Sequence, residues 1–184
     1  MTLPSTEQLK QTGGRKLARI VFDERTIARR VAELGREITD AYPDGELLVV
    51  GLLKGSFIFL SDLVRKIERP LQVDFLVAAS YGAGTVSSGN VRLLYDPETA
   101  LEGKHILLVE DIIDTGKTLQ KLQGLLETRR PRSLEICALL DKHIAVPELA
   151  PKFLGFDAPP LFLVGYGLDH AENFRHLPYI ASLT

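Results

Sequence analysis

The segment VEDIIDTGKT, residues 109–118, combines three carboxylates, Glu110, Asp111 and Asp114, with a sequence that resembles a phosphate-binding loop. Its last three letters end like a P-loop, which requires glycine, four free positions and then Gly-Lys-Ser/Thr. Five positions before Gly116, however, the chain has Asp111 instead of glycine. A carboxylate there removes the backbone freedom of glycine and places negative charge against a triphosphate. The segment is therefore not a P-loop, and its acids need another explanation.

The order of residues in this segment suits a sugar phosphate. A strand followed by a helix would place the amides of residues 114–118 near a helix N-terminus, where a phosphate binds readily. Glu110 and Asp111 would repel that phosphate, but they are good acceptors for the vicinal hydroxyls of a sugar. A 5-phosphorylated ribose satisfies both halves, and Asp114 can then face the substituent at the anomeric carbon.

A simpler interpretation gives these acids no chemistry. Glu110 and Asp111 would form a solvated strand end, and Asp114 would only cap the following helix. A cap accounts well for Asp114. It does not account for three acids flanked by the apolar stretches ILLV and II, because buried charges must find partners. We therefore favour a functional site.

Composition limits the class of protein. The 184 residues are 45% hydrophobic and 25% charged, which is typical of a globular protein with one domain. A net charge of −2 without a long basic block does not favour nucleic acid as a partner. The single cysteine, Cys137, fits a reducing compartment, and the N-terminal MTLPSTEQLK has no apolar signal segment. No apolar run approaches the roughly 18 residues of a membrane span, so we expect a cytoplasmic protein with no membrane partner.

Strands alternate with helices along the chain, which predicts an α/β fold with a parallel sheet. The predicted strands are 46–53, 71–80, 104–111, 133–140 and 160–167, and the predicted helices begin at Thr26 and span 57–67 and 116–129. Residues 1–16 are predicted to be a flexible lead-in. The Gly- and Ser-rich residues 81–90 are either a mobile lid or a simple hairpin connection. Polar segments follow all five strands, where ligands bind in open parallel sheets.

A family resemblance agrees with this interpretation. VEDIIDTGKTL is similar to the phosphoribosyl-diphosphate-binding signature of the type I phosphoribosyltransferases. GLLKGSFIFLSDL, SSG after SYG, LLDK, and FLVGYGLD with the later E, FR and LPYI resemble the 6-oxopurine branch, the hypoxanthine-guanine phosphoribosyltransferases. The resemblance implies a parallel-sheet type I phosphoribosyltransferase fold, with helices on both faces and a small hood from the terminal segments. It also implies purine salvage: transfer of 5-phosphoribosyl to hypoxanthine or guanine, giving IMP or GMP and pyrophosphate, with Mg²⁺.

The resemblance also implies roles for individual residues. Asp114 would be the general base for the proton of the purine's imidazole ring. The implied contacts to phosphoribosyl diphosphate are Glu110, Asp111, Asp114, Thr115, Gly116, Lys117, Thr118, Lys54, Gly55 and Arg175. The implied purine contacts are Lys142, Phe162, Leu163 and Asp169, the implied metal ligands are Glu110, Asp111 and Asp169, and the lid begins at Ser80 and Tyr81. In the family the peptide before the matching lysine is often cis, and the subunits assemble as dimers or tetramers.

Two other functions stay open. A regulator that keeps the phosphoribosyl-diphosphate site as a sensor would carry an added DNA-binding domain or a basic face, and this chain has no obvious sign of either. A transferase for another base is a closer alternative. Lys142 and Phe162, together with GYGLD, favour a 6-oxopurine over uracil or orotate. The sequence does not rank hypoxanthine, guanine and xanthine.

Overall fold

The computed structural model describes residues 12, 17–80 and 91–183. The strands are β1 (Leu17–Phe22), β2 (Leu47–Leu53), β3 (Gln72–Ser80), β4 (Val91–Tyr95), β5 (His105–Ile113), β6 (Ser133–Asp141), β7 (Phe153–Asp157), β8 (Leu163–Val164) and β9 (Ile180–Leu183). The helices are α1 (Glu24–Ala41), α2 (Phe57–Val64) and α3 (Lys117–Glu127), with a short 3₁₀ helix at Pro147–Leu149. The predicted lid, residues 81–90, and the predicted lead-in, Thr12 apart, lie outside the described residues. Within those ranges, no helix has the length and apolarity needed to cross a membrane.

The larger sheet has six strands in the order β4-β3-β2-β5-β6-β7. All neighbouring pairs are parallel except β3 and β4, which are antiparallel. The predicted α/β fold with a mainly parallel sheet is therefore confirmed. The parallel strands end at one edge of the sheet, and this edge is where the predicted site residues collect.

Helices cover both faces of this sheet. Side chains alternate along each strand, so a strand that is apolar throughout presents apolar side chains to both faces. On β2, Leu47 and Val49 point to a core shared with α1 and α2. Leu48 and Val50 point to a second core on the opposite face, shared with α3. The predicted helices on both faces are thus confirmed. Fully apolar strands such as LLVVGLL are what a sheet buried on both sides requires.

Helix α1 begins where its sequence provides a cap. The carboxylate of Asp23 accepts a hydrogen bond from the Thr26 amide at 2.7 Å, which satisfies one of the free N–H groups of the first turn. The helix therefore starts at Glu24, two residues before the predicted start. Its buried stripe contains the four apolar residues that predicted it, Ile27, Val31, Leu34 and Ile38.

A second, antiparallel sheet of three strands has the order β1-β9-β8. It pairs residues near the start of the chain with residues near its end, for example Phe22 with Ile180. Its own small core contains Val164, Phe174, Leu177, Tyr179 and Ala181. The predicted hood from the terminal segments corresponds to this sheet.

One predicted strand is wrong. Residues 160–167 do not form the fifth parallel strand, since only Leu163–Val164 is a strand and it belongs to the small sheet. The fifth parallel strand is Phe153–Asp157, which pairs with β6. The apolar run PLFLVGYG was misleading because a buried loop can be as apolar as a strand. Its last three residues all have positive φ angles, which a strand does not allow.

Candidate active site

A cavity of about 150 Å³ lies where β5 passes into α3, and it is lined by Glu110 and residues 112–119. Gly116 adopts φ 70° immediately before the helix, a conformation that favours glycine. It also packs closely, because a Cβ there would lie 2.5 Å from Cδ1 of Leu149. The first amides of α3 have no partner within the helix. The predicted phosphate-binding residues 114–118 therefore surround one small cavity at a helix N-terminus.

Glu110 and Asp111 lie inside β5, which continues to Ile113, two residues beyond the predicted end. Both side chains are half-buried. Burial, and then the charge of Asp111, raise the pKa of Glu110 well above its ordinary value. Burial also raises the pKa of Asp111 to about 6, although the Ile112 amide donates to its Oδ1 at 2.9 Å and opposes the shift. The two acids can therefore carry less than two full charges, which limits their repulsion of a bound phosphate.

The raised pKa of Asp111 has a cost in stability. Its pKa rises from 3.8 to about 6 on folding, so the folded state loses stability as the pH increases through this window. Replacing Asp111 with asparagine should therefore raise the free energy of unfolding near pH 7.5 by about 1–2 kcal/mol. The gain should shrink near pH 4.5. Urea denaturation without metal or substrate at both pH values measures it.

Asp40→Asn is the matched control, because Asp40 is an exposed carboxylate on α1. It should change the free energy of unfolding little at either pH. An equal gain at both pH values for Asp111→Asn would show that ionisation of Asp111 is not the cause.

The turn after β2 lies against Asp111. Its Leu53–Lys54 peptide is cis, as it often is in the family that the sequence resembles. A Cβ on Gly55 would lie 1.7 Å from Oδ2 of Asp111, so the backbone of the turn touches that carboxylate. On its other side the turn packs against Gly167. A Cβ on Gly167 would lie 2.0 Å from the carbonyl oxygen of Gly55. Gly167, which sequence reasoning did not select, thus completes a tightly packed group of three chain segments.

Asp114 and Lys142, from two different strand ends, form an ion pair. Nζ of Lys142 lies 3.1 Å from Oδ2 of Asp114. The backbone helps to hold this arrangement, because the Lys142 amide donates to the carbonyl of Ile113 at 3.0 Å. The lysine is largely covered, whereas the carboxylate is exposed. A positive donor and a negative acceptor therefore lie side by side at the edge of the cavity that Asp114 lines.

Arg175 and Asp169 also pair, at 2.7 Å between Nη2 and Oδ1. The other terminal nitrogen of Arg175 donates to the carbonyl of Gly167 at 2.8 Å. Glu172 belongs to the C-terminal segment that carries the family resemblance, but the sequence analysis assigned it no role. Its carboxylate lies 3.2 Å from Nζ of Lys54, and its amide donates to Asp169. Lys54, Arg175 and Asp169 are thus joined by one network of charges.

Phe162 is exposed, with 56% of its surface accessible, and it contacts His170, the residue that follows Asp169. The two rings contact edge to face with their centroids 5.4 Å apart. The next residue, Leu163, is buried, so its side chain is not available to a ligand. Phe162 is a large apolar surface for a flat ligand on the open side of the site.

The residues predicted to hold a metal fall into two groups. Glu110 and Asp111 lie on β5, whereas Asp169 lies on the loop after β8 beside Arg175. In the described ranges no three His, Cys, Asp or Glu side chains form a metal cage. Magnesium usually binds to one or two carboxylates together with substrate phosphates and water. These oxygen donors therefore fit an ion that arrives with a phosphorylated substrate.

The predicted lid begins at Ser80 and Tyr81. Tyr81 and the side chain of Ser80 lie outside the described residues.

Comparison with known proteins identifies the family. Residues 19–170 match the phosphoribosyl transferase domain model. The chain belongs to the phosphoribosyl transferase family. The Dictyostelium discoideum hypoxanthine-guanine phosphoribosyltransferase is 48% identical over 169 residues, which cover 89% of this chain and 94% of that protein. The Salmonella typhimurium hypoxanthine phosphoribosyltransferase is 46% identical over 170 residues, with the same coverage of both chains.

Solved structures of phosphoribosyl transferases share the fold. A Staphylococcus aureus hypoxanthine phosphoribosyltransferase superposes with a TM-score of 0.87 at 41% identity, covering 91% of this chain and 92% of that one. A hypoxanthine-guanine phosphoribosyltransferase from Bacillus anthracis gives a TM-score of 0.87 at 39% identity. These findings confirm the family resemblance and the fold class that the sequence predicted. This protein is thus a phosphoribosyltransferase enzyme.

Proposed function

We propose that this protein is a purine salvage enzyme. It transfers 5-phosphoribosyl from phosphoribosyl diphosphate to hypoxanthine or guanine, giving IMP or GMP and pyrophosphate. The pair of Lys142 and Asp114 beside the phosphate cavity carries this proposal. A 6-oxopurine has an acceptor oxygen on carbon 6 and a neighbouring ring nitrogen that can carry a proton. The ammonium of Lys142 can donate to the first, and the carboxylate of Asp114 can accept from the second.

The substrate phosphate and sugar have separate partners in this proposal. The cavity formed by residues 114–118 takes the 5-phosphate, because helix-terminal amides and hydroxyls are donors for an anion. Glu110 and Asp111 accept hydrogen bonds from the ribose hydroxyls. Lys54 and Arg175 provide positive charge for the pyrophosphate. Gly55 lets the pyrophosphate approach its backbone, which already lies against Asp111.

The purine and the reacting bond lie between these two halves. Phe162 stacks on the purine ring, and Leu163 meets it through the backbone. A purine ring nitrogen then attacks the anomeric carbon while the bond to pyrophosphate breaks and the sugar gains cationic character. Asp114 accepts the proton that the purine loses. Its carboxylate also lies near the developing positive charge, where a negative group is favourable.

Magnesium is the proposed metal. Glu110, Asp111 and Asp169 offer the oxygen ligands that it prefers. The phosphates of the substrate would complete its coordination. When bound, the ion would neutralise negative charge on the leaving pyrophosphate. The pairing of Asp169 with Arg175 keeps this carboxylate at the pyrophosphate end of the site.

We further propose one domain, residues 1–184, in a cytoplasmic homodimer or homotetramer, with no nucleic acid or membrane as partner. Residues 81–90 act as the lid, which begins at Ser80 and Tyr81. The two sheets share a core, since Ile180 of the small sheet packs in the same cluster as Val49 of the large one. That shared core supports a single domain.

Steady-state turnover tests the function. Purified protein is given phosphoribosyl diphosphate and Mg²⁺ with hypoxanthine, guanine, xanthine or adenine, and nucleotide formation is measured. We expect rapid turnover of hypoxanthine, guanine or both, and none of adenine, because its 6-amino group offers Lys142 a donor instead of an acceptor. Tight binding of phosphoribosyl diphosphate without turnover of any base would instead identify a sensor.

A further inference from the structure

A hydrogen bond joins the two segments that would hold the pyrophosphate. The hydroxyl of Tyr166 donates to Oδ2 of Asp62 at 2.7 Å. Asp62 lies on α2, the helix that directly follows the turn at Lys54 and Gly55. Tyr166 lies in the loop after β8. It directly precedes Gly167, the residue that packs against the carbonyl of Gly55.

The loop that carries Tyr166 also holds other residues of the pyrophosphate end. Gly167, the next residue, touches the Gly55 carbonyl and accepts a hydrogen bond from Arg175. Its amide donates to the Arg175 carbonyl at 2.9 Å, and the Tyr166 amide donates to Leu177 at 2.8 Å. A shift of this loop would therefore move Arg175 and release the turn at Gly55 together.

The conformation of the loop needs support from outside. Gly165, Tyr166 and Gly167 have φ angles of 99°, 51° and 101°. The middle residue is not glycine, so the left-handed conformation of Tyr166 is unfavourable unless its side chain is fixed. Tyr166 is 94% buried in the core that contains residues of α1 and α2, and its hydroxyl donates to Asp62. Burial and the bond to Asp62 raise the pKa of the hydroxyl, which keeps it a proton donor.

We propose that Tyr166 and Asp62 are positioning residues for the pyrophosphate half of the substrate site. Their hydrogen bond fixes the 165–169 loop to α2 and so holds Gly167 against Gly55 and Arg175 near Asp111. Neither side chain contacts the substrate. This inference rests on the proposed function, because it assigns the affected region to phosphoribosyl diphosphate.

The test is a set of kinetic measurements in which each substrate is varied separately. Tyr166→Phe removes only the hydroxyl. It should raise the KM for phosphoribosyl diphosphate about 3- to 10-fold, which is the effect of losing one hydrogen bond. The KM for hypoxanthine should stay unchanged. Asp62→Ala should raise the KM for phosphoribosyl diphosphate at least as much, because it also removes the pairing of Asp62 with Arg65. Asp62→Asn keeps an acceptor oxygen for Tyr166 and should raise this KM less. Because the Tyr166 hydroxyl acts through Asp62, the double variant Tyr166→Phe with Asp62→Ala should be no worse than Asp62→Ala alone.

Tyr42→Phe is the matched control. The hydroxyl of Tyr42 is buried and has no hydrogen-bond partner in the part of the chain that the structure describes. Its removal should leave both KM values unchanged. Thermal unfolding of every variant is measured alongside.

Each outcome decides between the two proposals. A lower melting temperature with both KM values unchanged, or an equal rise in both, would overturn the positioning role. A wild-type protein that forms no nucleotide would contradict the proposed function instead. In that case calorimetric binding of phosphoribosyl diphosphate to the wild type and to Tyr166→Phe still decides the positioning role, since only weaker binding by the variant supports it.

Discussion

Replacing Asp114 with asparagine should lower kcat about 10²–10⁴-fold, the range that a general base contributes. The amide has nearly the shape of the carboxylate, but it cannot accept the proton that the purine loses. It also removes negative charge from the vicinity of the sugar cation. Since the amide oxygen can still accept from Lys142, which lies 3.1 Å from Asp114, the site should keep its geometry. The KM values should therefore change much less than kcat.

Single-turnover and steady-state rates for hypoxanthine and guanine measure this effect. Asp40→Asn makes the same chemical change at an exposed position of α1 and should leave kcat unaltered. A rate for Asp114→Asn within about 3-fold of the wild type would exclude general-base catalysis by this residue, because such catalysis contributes far more. Its ion pair with Lys142 would then be structural.

Gly167→Ala should destabilise the fold by about 3–5 kcal/mol, because two costs combine. A φ of 101° is strained for any residue with a Cβ, and the added methyl would lie 2.0 Å from the Gly55 carbonyl. That neighbour is backbone and cannot rotate away. Relief requires a shift of the turn at Lys54 and Gly55, so phosphoribosyl diphosphate should also bind more weakly. Urea denaturation and calorimetry measure the two effects.

Gly124→Ala gives the opposite expectation and serves as the control. Gly124 lies within α3, and a Cβ there would meet nothing within 4 Å. Alanine in a helix should stabilise the protein by roughly 0.5–1 kcal/mol. Equal effects of the two substitutions would show that the close contact at Gly167 is not important.

Local pattern was sufficient to predict the elements that line the cavity at the start of α3. The spacing of Leu119, Leu122, Leu125 and Leu126 predicted the buried face of this helix, and all of them except Leu125 are buried. The acids follow the apolar residues of β5. Such features depend on residues near one another in sequence. The strand Phe153–Asp157 was missed because it is short and contains glycine, and its pairing with β6 depends on the rest of the sheet.

Contacts between distant segments could not be predicted in the same way. Glu172 meets Lys54 across 118 positions, and Tyr166 meets Asp62 across 104. No periodicity connects such pairs, since only the folded sheet brings the loops after β2 and β8 together. The sequence therefore indicated which residues lie at the strand ends, but not which of them hold one another in place.

The central position of β5 has a consequence for how the molecule opens. Strand β5 is paired on both sides, and its residues Ile106–Val109 are fully buried. Amides in such a strand exchange with solvent only when most of the protein unfolds, whereas peripheral segments open at a lower free energy. Glu110 and Asp111 are the next two residues of that strand. Fluctuations that detach β1, β8 and β9 would thus remove the hood and leave the paired acids in place.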